Sequence, residues 1–69
     1  MNSDILQGQW KQIAGEARKH WAKLSGNKLD AVRGDRDKLI GLIQEEYGYT
    51  REKAELEVNQ FLIKFRRNP

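Results

Sequence analysis

Apolar residues in the first third of the chain recur in alternating steps of three and four positions. They are Leu6, Trp10, Ile13, Ala17, Trp21 and Leu24. This spacing lays the side chains along one stripe of an α-helix. Ser3 or Asp4 is suited to cap its start, and we expect it to end at Ser25-Gly26, with the glycine in a left-handed conformation. Gly8 lies inside the segment and allows a break near the N-terminal end.

Two further apolar patterns follow in the middle of the chain. Asn27 is a residue type that caps helices, and Leu29 with Val32 forms a single apolar turn, which predicts a connecting helix of about two turns. A longer helix is predicted from Asp35, as its cap, to Gly48 in the left-handed position after its last turn. Its apolar face consists of Leu39, Ile40, Ile43 and Tyr47.

The last predicted helix has a clear start signal. Thr50 is its cap, and Tyr49 and Ala54 occupy the two positions of a hydrophobic staple. The inward stripe consists of Ala54, Val58, Phe61, Leu62 and Phe65. Leu56 and Ile63 fall off this stripe, so we expect both side chains to be half exposed.

These elements predict an all-α protein, because no segment alternates apolar and polar residues with a period of two. We expect a single domain over residues 1–69, a small bundle of about four helices. Short connections make neighbouring helices meet at sharp angles, which suggests two orthogonally packed helical hairpins. A chain of 69 residues holds one core, and such a core gives a net stability on the order of 3–5 kcal/mol. We expect a monomer in dilute solution.

The composition restricts the groups that can stabilise the fold, the cofactors it can bind and its cellular location. The chain has no cysteine and one histidine, so disulfides and structural zinc cannot stabilise it, and we expect no cofactor. The first residues lack the basic and apolar regions of a signal peptide, and no apolar run approaches the length of a membrane span. We therefore expect a cytoplasmic protein.

The joint spacing of tryptophans, glycines and a Tyr-Gly turn resembles the CsbD-like family of small bacterial stress-response proteins. The positions that carry the resemblance are Trp10, Gly15, Trp21-Ala22-Lys23-Leu24, Leu29, Gly34, Asp37-Lys38-Leu39-Ile40-Gly41, Gln44, Tyr47-Gly48 and Ala54. The resemblance implies a compact bundle of two orthogonal helical hairpins, with the outline of a sterile-alpha-motif domain, and expression under general stress. It implies no known activity, because the matching residues are of the kinds used for packing and turns.

Candidate catalytic groups in the sequence have simpler interpretations. His20 is a possible general base, but acid–base catalysis needs an oriented partner, and we interpret it as a surface residue. Glu45-Glu46 and Asp35-x-Asp37 are interpreted as solvated helix charges and caps, because a chain this small rarely forms the pocket that paired carboxylates need. Gly34-Asp35-Arg36-Asp37 lacks the later glutamate of a calcium loop. We therefore predict that the protein is not an enzyme.

Two other features have both a structural and a functional interpretation. Trp10 and Trp21 could stack on bases, but their phase with the apolar stripe predicts that they face the core. Gly41, in the middle of a helix, could admit a ligand, but we interpret it as the site of a close helix crossing.

Charge suggests one further possibility. The formal net charge is only +3, and acidic residues concentrate between Asp35 and Glu57. Candidate phosphate-contacting residues are Lys11, Arg18, Lys19, Lys23, Arg66 and Arg67. Our leading hypothesis is a non-enzymatic stress-associated protein that acts as a soluble interaction or protective module, with an unidentified protein partner. The alternative is a weak nucleic-acid-binding module that uses the basic N-terminal helix and C-terminal turn.

Overall fold

A computed structural model describes residues 8–66, and side chains as far as residue 63. The described residues form four helices and no strand. They are α1 (Trp10–His20), α2 (Gly26–Val32), α3 (Arg36–Tyr47) and α4 (Arg51–Arg66). The predicted all-α bundle is confirmed.

The first helix is shorter than its apolar stripe predicted. It begins at Trp10, after a turn at Gln9, close to the break that Gly8 allows. It ends at His20 rather than at Ser25-Gly26, because Trp21 has an extended backbone. The chain then makes a turn in which the Leu24 N–H donates to the Trp21 carbonyl at 3.0 Å. The predicted caps Ser3 and Asp4, and Leu6, lie outside the described residues.

The short second helix begins differently from the prediction. Ser25, not Asn27, is its cap, and the Ser25 hydroxyl accepts a hydrogen bond from the Lys28 N–H at 3.2 Å. Gly26 is the first residue of the helix and is not left-handed, so that prediction was wrong. Ser25 can act as the cap because α1 has already ended, which leaves its backbone free to take an extended conformation.

The caps of the two longer helices are confirmed. The Asp35 carboxylate accepts hydrogen bonds from two backbone N–H groups in the first turn of α3. Gly48 ends α3 in the left-handed region at φ 71°, and its N–H donates to the carbonyl of Gln44. The Thr50 hydroxyl accepts a hydrogen bond from the Lys53 N–H at 3.1 Å. These local signals therefore place α3 and α4 as the sequence predicted.

The core contains apolar side chains from all four described helices and from the turn after α1. Its members are Ile13, Ala17, Trp21, Leu24, Leu29, Val32, Leu39, Ile40, Leu42, Ile43, Ala54, Val58, Phe61 and Leu62. Fully burying one such large side chain is worth about 1.5–3 kcal/mol. The exposed fractions of Leu56 and Ile63 are 57% and 45%, as expected for residues off the stripe. The side chain of Phe65, predicted to face inward, lies outside the described part.

Both tryptophans help to close the bundle. Trp21 is buried, and its ring packs against that of Phe61 at a centroid distance of 4.8 Å, which joins the end of α1 to α4. Trp10 is half buried, and its Nε1–H donates to the Leu29 carbonyl at 3.0 Å. The predicted inward position is therefore confirmed for Trp21, and Trp10 packs against the edge of the core.

Candidate interaction surface

An open groove lies between α2 and α3 on the outside of the bundle. Its volume is about 430 Å³, and its lining residues are Lys28, Ala31, Val32, Lys38, Gly41, Leu42 and Glu45. Aliphatic side chains and the glycine form the floor, and charged side chains border it. We refer to this surface as the α2–α3 groove.

The turn between the two helices sets the shape of the groove. Arg33 and Gly34 both take left-handed backbone conformations, with φ of 55° and 80°. Glycine adopts this region without steric cost, which explains its presence there. The Asp35 N–H then donates to the Val32 carbonyl at 3.0 Å, and Asp35 caps the next helix. This tight connection holds α2 against α3, and both Val32 and Leu42 line the groove.

Gly41 does not lie at a close helix crossing, so that interpretation was wrong. It is exposed, and a Cβ atom added to it would have no heavy atom within 4 Å. Its location in the groove leaves the backbone of α3 open to an approaching group. Which helix lies across a given residue is a tertiary property, and the local sequence does not contain it.

The charged groups around the groove differ in their contacts and in their exposure to solvent. The Lys28 ammonium donates a hydrogen bond to the Glu46 carboxylate, and this contact raises the pKa of Lys28 above its ordinary value. Lys38 and Glu45 are both exposed and lie seven residues apart on α3. Since seven residues are about two helical turns, they stand on the same side of the helix, at either end of the groove.

The predicted basic residues that fall within the described part are all exposed. They are Lys11, Arg18, Lys19 and Lys23. The Arg18 guanidinium lies against the start of α2, 3.6 Å from where a Cβ of Gly26 would be. The Lys19 ammonium is 3.9 Å from the Glu16 carboxylate. The side chain of Arg66 and all of Arg67 lie outside the description, so the approach of the C-terminal turn to this surface stays a prediction.

Lys23 belongs to an aromatic and basic cluster that the sequence analysis missed. Its ammonium lies 5.2 Å from the centre of the Tyr47 ring, and its backbone N–H donates to the Tyr47 hydroxyl at 3.2 Å. Tyr47 stacks on Tyr49 at a centroid distance of 5.4 Å, and the Lys53 ammonium lies 4.6 Å from the Tyr49 ring. The Tyr-Gly-Tyr sequence signals part of this cluster, but Lys23 joins it only through the tertiary fold.

The remaining candidate residues, His20, Asp35 and Asp37, make contacts that stabilise the fold. His20 is exposed, as predicted, and its ring contacts those of Trp21 and Phe61 at centroid distances of 4.6 and 5.3 Å. The Asp37 carboxylate accepts a hydrogen bond from the Arg51 guanidinium at 3.0 Å, which ties α3 to α4. The interpretation of Asp35 as a cap is confirmed, and Asp37 is half of an exposed ion pair.

Among residues 8–66, no three or more side chains of histidine, aspartate or glutamate converge so as to hold a metal ion. None of the helices in the same range has the length and apolar character needed to span a membrane.

Comparison with known proteins settles the family. The sequence model of the CsbD-like family matches residues 4–55, which include the whole α2–α3 groove. The chain belongs to the CsbD-like family. The resemblance seen in the spacing of tryptophans and glycines is therefore confirmed.

Relatives of the CsbD-like chain come from several bacteria. A UPF0337 protein of Bordetella pertussis is 46% identical over 69 residues and covers 100% of both chains. A UPF0337 protein of Pseudomonas aeruginosa is 43% identical over 61 residues, 88% of this chain and 94% of the relative. The UPF0337 protein YjbJ of Escherichia coli K12 is 45% identical over 58 residues, 84% of each chain. None of these names describes an enzymatic activity. No solved structure shows a significant match.

Proposed function

We propose that this CsbD-like protein is a non-enzymatic interaction module of the bacterial stress response, and that it binds a protein partner through the α2–α3 groove. The observation that supports the proposal is the exposed Gly41 backbone within an open groove of about 430 Å³. Apolar floors bordered by charged residues are typical of surfaces that bind proteins.

Lys28, at the edge of the groove, lacks the environment of a catalytic lysine. A lysine acts as a nucleophile only when its surroundings lower its pKa, so that the neutral amine is populated near neutral pH. Lys28 has the opposite environment, because its hydrogen bond to Glu46 raises its pKa. Its ammonium is therefore charged under physiological conditions and serves as a fixed positive group at the edge of the groove.

Affinity capture from stressed bacterial cells tests the proposal. Three baits are compared: the wild-type protein, Gly41→Gln, which places a long side chain in the groove, and the matched control Gly15→Gln. Gly15 is exposed within α1, and a Cβ added there also meets nothing within 4 Å. We expect Gly41→Gln to lose proteins that wild type and Gly15→Gln both retain after nuclease treatment. Identical capture by all three baits would exclude the groove as the binding surface.

A second candidate function is weak nucleic-acid binding by the basic surface of α1. It is supported by the exposure of Lys11, Arg18 and Lys19, and by the location of Lys23 beside the stacked Tyr47 and Tyr49 rings. Basic side chains next to aromatic rings are the usual elements of a surface that binds single strands. The tyrosines are half buried, and Lys19 is near Glu16, so we expect only non-specific affinity, with Kd no tighter than about 10⁻⁴–10⁻⁶ M at physiological salt.

Salt dependence distinguishes the two functions. Each phosphate neutralised by a basic side chain contributes a slope of about −0.9 to log K against log salt for duplex DNA, and of about −0.7 for single strands. Charge reversal of Lys19 and Lys23 to glutamate should reduce both affinity and slope, and reversal of Arg66 with Arg67 is the second pair to test. Submicromolar binding at physiological salt, abolished by Lys19→Glu with Lys23→Glu while helicity is retained, would make nucleic-acid binding the leading function.

A further inference from the structure

Gly41 leaves the backbone of α3 exposed within the α2–α3 groove. It lies in the middle of the 12-residue helix α3, where a glycine costs about 0.5–1 kcal/mol relative to alanine. Its backbone is helical, so no unusual dihedral angle requires glycine, and an added Cβ would meet no heavy atom within 4 Å. Gly15 in α1 has the same properties, so they do not by themselves indicate a contact. Gly41 differs from Gly15 because it lines an open groove, where a glycine allows the close approach of another helix.

The residues around Gly41 form a stripe that is complementary to itself. Lys38, Gly41, Leu42 and Glu45 follow the spacing i, i+3, i+4, i+7, so they line one side of α3. The midpoint of this stripe falls between Gly41 and Leu42. In an antiparallel pair of α3 helices related by a two-fold axis at that midpoint, Lys38 faces the partner's Glu45, and Gly41 faces the partner's Leu42. A parallel pair would instead place Lys38 against the partner's Lys38.

We infer that the α2–α3 groove docks against the same groove of a second copy of this chain, with the two α3 helices antiparallel and crossing at Gly41. This inference rests on the proposed function, because it names the partner of the same surface. Two Lys38–Glu45 pairs form across the axis, and the absence of a side chain at Gly41 lets the two α3 helices approach closely. Lys28 is already paired with Glu46 in its own chain and leaves this arrangement undisturbed.

The size of the groove sets the strength of the association. A stable protein–protein interface uses roughly 20–30 residues on each side, whereas seven residues line the groove. The self-association is therefore weak, with a Kd of about 10⁻⁴–10⁻³ M. The protein is a monomer when dilute and pairs where it accumulates to high local concentration.

Sedimentation velocity and NMR line widths between about 20 μM and about 2 mM measure this equilibrium. We expect the wild type to shift from monomer to dimer over this range, Gly41→Gln to stay monomeric, and the matched control Gly15→Gln to behave as the wild type. Helical circular-dichroism spectra of both variants confirm that they fold. A wild-type protein that is monomeric at about 2 mM, or a Gly41→Gln variant that still dimerises, would overturn the inference.

A charge swap tests the antiparallel register directly. Lys38→Glu and Glu45→Lys should each weaken self-association by about tenfold, because each places like charges across the axis. The double variant, with both residues exchanged, should restore it, and the two single variants should pair with each other when mixed. Two weakened single variants whose double variant is not restored would exclude this register and with it the inference.

The same variants separate this inference from the proposed function. A different protein that binds the groove keeps its own charges when Lys38 and Glu45 are exchanged in the bait. The double variant would therefore lose that protein, although it would still self-associate. If the wild type never dimerises but Gly41→Gln still loses captured proteins, the self-association is wrong and the interaction module stands. If Gly41→Gln captures the same proteins as the wild type, the foreign partner is excluded, whatever sedimentation shows.

Discussion

The residues on the inward face of α3 are buried and have packing roles, whereas those on the outward face are exposed. On the inward face, three side chains have no solvent exposure and pack into the core: Leu39, Ile40 and Ile43. On the outward face, Lys38 and Glu45 are exposed, and between them Gly41 lies open to solvent. Each inward residue has an evident packing role, whereas the outward glycine costs helix stability, and a Cβ added there would meet no heavy atom within 4 Å.

Buried and exposed residues of α3 carry different information about function. A core residue is explained as soon as its burial is known, so its presence says little about activity. A residue that is unfavourable for the local structure, and that also lies exposed in a groove, is a better candidate for function. On α3 that residue is Gly41, and its neighbours in the groove define the surface that it serves.

The largest expected effect comes from breaking the inward face. Leu39→Ala should lower the free energy of unfolding by about 2–5 kcal/mol, because it removes a fully buried side chain and leaves a cavity. This loss is comparable to the total stability of on the order of 3–5 kcal/mol expected for the chain. Circular dichroism during urea titration measures it.

The neighbouring outward residue provides the control. Lys38→Ala should change the free energy of unfolding by no more than about 0.5 kcal/mol, as is usual for exposed positions. If the two substitutions destabilised the protein equally, the assignment of inward and outward faces would be wrong.

Local signals were sufficient to predict α3 and α4 from the sequence. Asp35 and Thr50 are caps, and Gly48 is left-handed. The predicted stripe residues are buried on α3, except for the half-buried Tyr47, and on α4 as far as Leu62. Each of these features depends on residues within about one turn of one another. Such short-range relations can be read from the sequence.

The predictions that failed depend on relations that the local sequence does not contain. Ser25 and Asn27 are both good caps, and the choice between them depended on α1 ending at His20, which brings Trp21 and Leu24 into the core through a turn. For Gly41, the sequence showed an unusual residue but not which helix, if any, lay across it. The candidate site could therefore be located only from the tertiary arrangement of α2 and α3, whereas the helices could be predicted from the sequence without it.

Gly41 within α3 and Gly48 at its C-terminal cap sharpen the comparison, because the same substitution should have opposite effects at the two positions. Gly41→Ala should raise the free energy of unfolding in dilute solution by about 0.5–1 kcal/mol, since alanine favours the helix and its Cβ meets no neighbour. Gly48→Ala should lower it by about 1 kcal/mol, because Gly48 has a φ of 71°, where a Cβ is strained. Urea titration at low concentration measures both. Destabilisation by Gly41→Ala would reveal a contact within the chain that requires glycine.

The smallest expected effect concerns the ion pair at the edge of the groove. Glu46→Gln should lower the pKa of Lys28, since the hydrogen bond to the Glu46 carboxylate is the largest cause of its raised value. Because the folded pKa of this lysine lies above the unfolded one, about 10.4, the pair contributes to stability fully below that pH. The contribution is lost as the pH rises through the folded pKa.

Glu45→Gln is the matched control for this titration. Glu45 raises the pKa of Lys28 only through a longer-range attraction, the smallest of the causes, so its removal should shift the titration less than removal of Glu46. An NMR titration of the lysine side chain through alkaline pH measures both shifts. Equal shifts in the two variants would mean that Lys28 lies in a general acidic field. In that case the Lys28–Glu46 pair would not join α2 to α3, and the edge of the groove would be less well fixed than its floor.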